Sequence, residues 1–176
     1  MVSYEESVRS GRKEKDSFFK MEHDSPIPED QKNQFVGLKY FPPDEKYRFE
    51  AKFQAHDKAA IVTMLTSKGT QQRFYRYGYF DLELGKKKVR LEAYRSAERE
   101  DDSLFIPFRD KTSGREAYRA ARYLDLHMQP DDDYVVDFNL AYNPYCAYSE
   151  EYICPLPPKE NWVDVEIRAG EMKYHD

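Results

Sequence analysis

From residue 46 onward, apolar and polar side chains alternate with a period of two. Phe49, Ala51, Phe53 and Ala55 interleave with Arg48, Glu50, Lys52 and Gln54, the pattern of a half-buried strand. Ala59 to Leu65 is an apolar run, which predicts a strand buried on both faces. Phe74, Phe80, Leu82 and Leu84 share one parity and Tyr75, Tyr77 and Tyr79 the other. Gly78 interrupts this long segment and predicts a bulge. Gly85-Lys86 is a turn signal, after which Val89, Leu91 and Ala93 resume the alternation. Leu104, Ile106 and Phe108 continue it, and Tyr134–Phe138 and Val163, Val165, Ile167 supply two further strands. Between residues 117 and 128 the periodicity fits both a helix and a strand. The turn-rich lead-in and the surrounding β segments select the strand.

The N-terminal part follows a different rule. Ser3 and Glu6 have the spacing of a capping box, and Tyr4, Val8, Phe18 and Phe19 give a weak helical stripe interrupted by Gly11. A second short helix is marked by Pro28, by Glu29 and Asp30 in its first turn, and by Gly37 beyond its end. The expected fold is therefore mainly β: an antiparallel meander forming a sandwich or partly closed barrel. Short N-terminal helices would cover an edge, and a long ordered loop would follow Phe138. The chain reads as one domain over 1–176, with a helical region at 1–37 and the β domain at 46–176.

Composition changes this picture in one respect. Leu, Ile, Val and Phe make up only a fifth of the 176 residues, at the edge of what a folded core requires. The 15 tyrosines and 11 phenylalanines move the chain back among folded proteins, with a core of rings carrying polar handles. No apolar run approaches the ~20 residues of a membrane-spanning helix. The first sixteen residues lack an apolar signal region, so a cytoplasmic location is expected.

The net charge of −5 is unevenly spread, with −8 in residues 101–176 and +5 in residues 68–95. The aromatic-basic stretch 73–91 has the ingredients of an RNA-stacking surface. The acidic balance of the whole argues against nucleic acid and for a solvated sheet face.

Two polar blocks carry the candidate chemistry. In FRDKTSGREAYRAARYLD, residues 108–125, Asp110, Thr112, Ser113 and Gly114 form a turn whose hydroxyls and N–H groups suit an anion. Tyr118 lies beside it, and Arg122 supplies a forked donor. In DFNLAYNPYCAYSEEYICPLPPKEN, residues 137–161, Asp137 and Asn139 share one face, Asn143-Pro144 starts a turn, and seven residues separate Cys146 from Cys154. That spacing matches no zinc pattern, so no metal is expected. Buried structural thiols are the leading reading of the cysteines, a disulfide the second. No hydrolase or dinucleotide motif occurs.

The same blocks resemble the family called domain of unknown function 1684. FRDKTSG, EAY, ARYLD, DFNLAYNPYCAY, CPLPPKEN and IRAGE carry the resemblance, and SPIPEDQKNQFVGLKYFPPD at 25–44 extends it over nearly the whole chain. Ala120-Ala121, where a glycine is expected, and Tyr145, where a second proline is usual, depart from the pattern. The resemblance implies occurrence in bacteria and archaea and assigns no activity or cofactor. The leading expectation is a pocket for a small, anionic ligand lined by Asp110, Thr112, Ser113, Tyr118, Arg122, Asp137, Asn139, Asn143 and Cys146, either as a binding site or as an active site. The alternative is a buried hydrogen-bond network made by the same residues, without a ligand. Ligand identity and oligomeric state are not encoded in any motif.

Overall fold

A computed structural model describes residues 1–176. One helix, α1 (Tyr4–Met21), is followed by a 3-10 turn at Glu29–Gln34 and seven strands: β1 (Arg48–Lys52), β2 (Gln54–Leu65), β3 (Gln71–Leu84), β4 (Lys87–Ser96), β5 (Ser103–Phe108), β6 (Arg122–His127) and β7 (Asp133–Asp137). The N-terminal region is thus a single 18-residue helix rather than two short ones. Its capping box is formed as expected, with Glu6 N–H donating to Ser3 Oγ and Ser3 N–H to the Glu6 carboxylate. The second segment closes only as a 3-10 turn.

Two antiparallel sheets make a sandwich-like arrangement without a closed barrel. The larger has the order β2-β3-β4-β5-β6, the smaller pairs β1 with β7. Between them lies the main core, in which Phe80, Leu91, Leu104, Ile106, Phe108, Val136 and Phe138 are buried. Period-two alternation on β3, β4 and β5 put these side chains on one face. Phe53, between β1 and β2, carries the chain from one sheet to the other and stacks against Tyr77 and Phe80.

Two expectations about strands are corrected. Ala59–Leu65 is not buried on both faces. It lies on β2, an edge strand, and Ile61 and Leu65 are each 57% exposed. An apolar run alone does not distinguish a central strand from an edge strand. Val163–Ile167 is not a sheet strand either. It is an extended strap, joined to residue 109 by one parallel bridge at Trp162 and by Lys111 N–H to the Val165 carbonyl. Its alternating apolar side chains, Val163, Val165 and Ile167, still enter the core, which is why it imitates a strand in sequence.

Where β4 meets β5, only Tyr94 and Phe105 are in register. Pro107 lacks the N–H that a further pair would use. Buried Asn161 fills the gap. Its amide donates to the carbonyls of Glu92 and Pro107 and accepts from Glu92 N–H, at 2.8–2.9 Å. The bulge expected at Gly78 is present, as the β3–β4 register slips between Arg76 and Gly78. A Cβ there would sit 2.2 Å from the Phe53 ring and 2.5 Å from the Gln54 carbonyl. Gly78→Ala is expected to destabilise the fold by about 1–3 kcal/mol through overpacking. Urea denaturation measures this, and an unchanged midpoint would contradict the packing.

Candidate functional site

The nine candidate residues fall into four groups, of which the first and third are joined through the strap 167–172. The first group is built on Arg122, at the start of β6. Its side chain is 1% exposed and faces Asp110 at 3.4 Å. The guanidinium donates to the carbonyls of Ala169 and Ile167, the latter at 2.8 Å. It lies 5.2 Å from the ring centre of Phe108. Burial pulls the guanidinium below its ordinary pKa, opposed by the Asp110 carboxylate. Asp110 also accepts from Thr112 Oγ1 at 2.8 Å, from Ser113 Oγ at 3.2 Å and from Ile167 N–H at 2.6 Å. The turn 110–114 therefore folds onto its own carboxylate, and Gly114 closes it at φ +84°. Arg122 has no donor directed at solvent, and its Nε is buried without a partner.

The second group is Asp137 and Asn139, where β7 ends. The Asp137 carboxylate accepts from Asn139 N–H at 3.0 Å, Asn139 Nδ2 at 2.9 Å and the Tyr4 hydroxyl at 2.8 Å. Asn139 in turn brackets the Asp44 backbone, accepting its N–H and donating to its carbonyl. The third group centres on Glu171, which is 1% exposed. It receives Lys15 Nζ at 2.5 Å, Asn143 N–H at 2.6 Å and the Tyr148 hydroxyl at 2.8 Å. Asn143 Nδ2 donates to the Met172 carbonyl at 2.9 Å. Gly170 makes the bend between Ala169 and Glu171, with φ +78°, and a Cβ there would lie 2.6 Å from the Ala141 carbonyl. The fourth group, Tyr118 and Cys146, has its hydroxyl and sulfur 3.7 Å apart.

Asp137 and Asn139 of the second group and Glu171 of the third line a cleft of about 300 Å³ beneath α1, whereas Asn143 and the first group do not. Tyr4, Arg12 and Lys15 of α1 line it together with Asp137, Asn139 and the bridge partners Tyr40 and Glu171. Arg12 donates to the Phe41 carbonyl at 2.8 Å, and its guanidinium carbon lies 4.3 Å over the Tyr40 ring. Arg12 Nε and the Tyr40 hydroxyl are both buried and have no hydrogen-bond partner in the protein. Burial, reinforced by Glu171, raises the Tyr40 pKa well above its usual value, so it remains a phenol and a donor.

Arg12, Lys15, Tyr40 and Glu171 are absent from the expected set. Glu171 lies in the IRAGE motif and was readable there. The α1 residues alternate with solvated charges and carry no comparable signal. No group of three or more His, Cys, Asp or Glu side chains has the geometry to hold a metal ion. No helix is long and apolar enough to cross a membrane. In the basic stretch, Arg90 pairs with Asp81 at 2.8 Å, Arg76 with Glu92 at 2.7 Å and Lys87 with Asp164 at 3.2 Å.

The fold and this network define a sandwich-like β protein whose C-terminal strap is tied down by buried polar contacts. The chain belongs to the family described as protein of unknown function (DUF1684), whose model matches residues 33–172. It is similar to an uncharacterized protein of Haloarcula marismortui solved by NMR in solution. The two are 39% identical with a TM-score of 0.73, over 96% of this chain and 94% of that one. No curated protein matches the chain.

Arg122→Ala removes one partner of a buried ion pair, leaving Asp110 without its countercharge and two strap carbonyls without donors. It is expected to cost about 3–5 kcal/mol of stability, measured by urea denaturation. Near-wild-type stability would show that the strap holds without it.

Proposed function

We propose that this protein binds a small molecule through an anionic or carbonyl oxygen in the cleft beneath α1. The observation that carries this reading is the pair of buried donors, Arg12 Nε and Tyr40 Oη, left unpartnered in the wall of an open cleft. A buried donor without an acceptor costs about 1–3 kcal/mol, so two of them in one cleft are a standing demand for acceptor atoms. The volume suits a ligand at the small end of the usual range. Arg12 brings a positive charge, so a carboxylate meets the demand best.

Asp137 and Asn139 belong to this site as orienting groups. Asp137 is already held by three donors and Glu171 by three, which favours binding over acid–base turnover. Asp110, Thr112, Ser113 and Arg122 belong instead to the scaffold. In this reading the anion is anchored by an arginine, but by Arg12 of the helix rather than Arg122 of the sheet.

Thermal denaturation in the presence of benzoate and of succinate, with native mass spectrometry of the protein as purified, tests the proposal. A raised midpoint with either carboxylate, or a retained small acid, is expected. Tyr40→Phe keeps the ring and removes the donor, and is expected to weaken binding about tenfold, or ~1.4 kcal/mol. The absence of both a midpoint shift and a retained molecule would overturn it.

A further inference from the structure

Away from the cleft, the two cysteines form an arrangement that neither the fold nor the proposed binding site uses. Cys146 lies in the 3-10 turn Tyr145–Ala147 and is partly exposed, whereas Cys154 is 7% exposed. The turn points the Cys146 N–H at the Cys154 sulfur, 3.4 Å away. Cys154 is fixed from its other side. Its N–H donates to Ser67 Oγ at 3.1 Å, and its carbonyl accepts Ser67 N–H at 2.9 Å. These bonds tie the segment to the end of β2, where Leu156 N–H also meets the Leu65 carbonyl. The Tyr118 hydroxyl reaches Cys146 Sγ from a third direction. Both thiols are free.

We propose that Cys146 and Cys154 are a reversible dithiol–disulfide site, in which the accessible Cys146 reacts first with a hydroperoxide and the buried Cys154 resolves it. The Cys146 thiol is pulled down to about 6 by hydrogen bonds from Cys154, Tyr118 and Ser67, against burial, and Cys154 is pushed the opposite way by the same contact and by burial. Exposure separates the two roles, with Cys146 open to an incoming oxidant and Cys154 buried behind it, the division between attacking and resolving sulfur that such chemistry needs.

The electrons balance in two steps. Having released its proton to solvent, the Cys146 thiolate attacks the terminal peroxide oxygen. The O–O bond breaks, the leaving hydroxide or alkoxide takes up a proton, and Cys146 becomes a sulfenic acid. Cys154 sulfur then attacks Cys146 sulfur, and its thiol proton leaves with the departing hydroxide as water. Two thiols are oxidised to one disulfide, and the hydroperoxide is reduced to an alcohol, or to water, with one further water released. An added dithiol reverses the bond by exchange.

The test treats the full native chain with equimolar hydrogen peroxide. Intact mass is expected to fall by two hydrogens, both cysteines to become unreactive to iodoacetamide, and dithiothreitol to restore both. In Cys154→Ser the sulfenic acid is expected to persist on Cys146 and be captured by dimedone. In Cys146→Ser the Cys154 thiol is expected to stay reduced. The proposal is overturned if peroxide leaves both wild-type thiols alkylatable, if it carries Cys146 to the sulfinic acid while Cys154 remains free, or if the disulfide forms between two chains. The wild-type experiment stands alone if either variant fails to fold. It involves no ligand, so its outcome is independent of the cleft.

Discussion

The closure of the C-terminal strap depends on one buried cation. Arg122 sits under residues 167–172 with its charge taken out of water, a large desolvation penalty unless every donor finds an acceptor. Asp110 supplies the countercharge, and the Ile167 and Ala169 carbonyls accept from the two terminal nitrogens, leaving Nε alone without a partner. The strap needs this arrangement as much as Arg122 does. Only from Gly170 onward does it bridge to the Tyr40 segment, so the Ile167 and Ala169 carbonyls would otherwise be buried without donors. The cation thus replaces a missing strand.

The consequence reaches the cleft through Gly170. With Ala169 held by Arg122, the positive φ at Gly170 sends Glu171 to the opposite side, where it receives Lys15, Asn143 and Tyr148. α1 buries only Val8 and Phe19, too little apolar area to seat an 18-residue helix closely. It is seated by polar contacts instead: Tyr4 on Asp137, Arg12 on the Phe41 carbonyl, Lys15 on Glu171. A helix held at a few polar points rather than by a packed stripe leaves space beneath it, and that space is the cleft. The scaffold around Arg122 and the binding wall around Arg12 are therefore linked through the strap.

Much of this was legible in the sequence, for identifiable reasons. Period-two patterning located β3, β4 and β5 because each has one face in the core, and Gly78 marked its bulge because a side chain there collides with Phe53. The capping box at Ser3 and Glu6 was readable because it is a local motif. What could not be read is non-local. The edge position of β2 depends on sheet order, which an apolar run does not encode. Val163–Ile167 alternates like a strand because it faces the core like one, yet its backbone partners are side chains and turns. Arg122 has the composition of an anion anchor, and only its depth beneath the strap assigns its donors to carbonyls. Arg12 lies among solvated charges on a helix, and only docking buries it.

The excess of tyrosine follows from the same shortage of aliphatic residues. The acidic C-terminal half carries carboxylates that too few cations are placed to neutralise. Phenol hydroxyls meet several of them: Tyr4 on Asp137, Tyr94 on Glu160, Tyr142 on Asp125 and Tyr148 on Glu171. Burial and the adjacent carboxylates raise the pKa of all four tyrosines, so they stay protonated and donate across the physiological pH range. Each ring contributes apolar area to the interior while its hydroxyl satisfies a carboxylate at the boundary. A leucine in the same place would supply the area and leave the acid without that donor. Tyr40 follows the rule for burial and breaks it for pairing, since its hydroxyl has no acceptor within the protein. It is the one tyrosine hydroxyl buried without a partner, and that departure directs attention to the cleft.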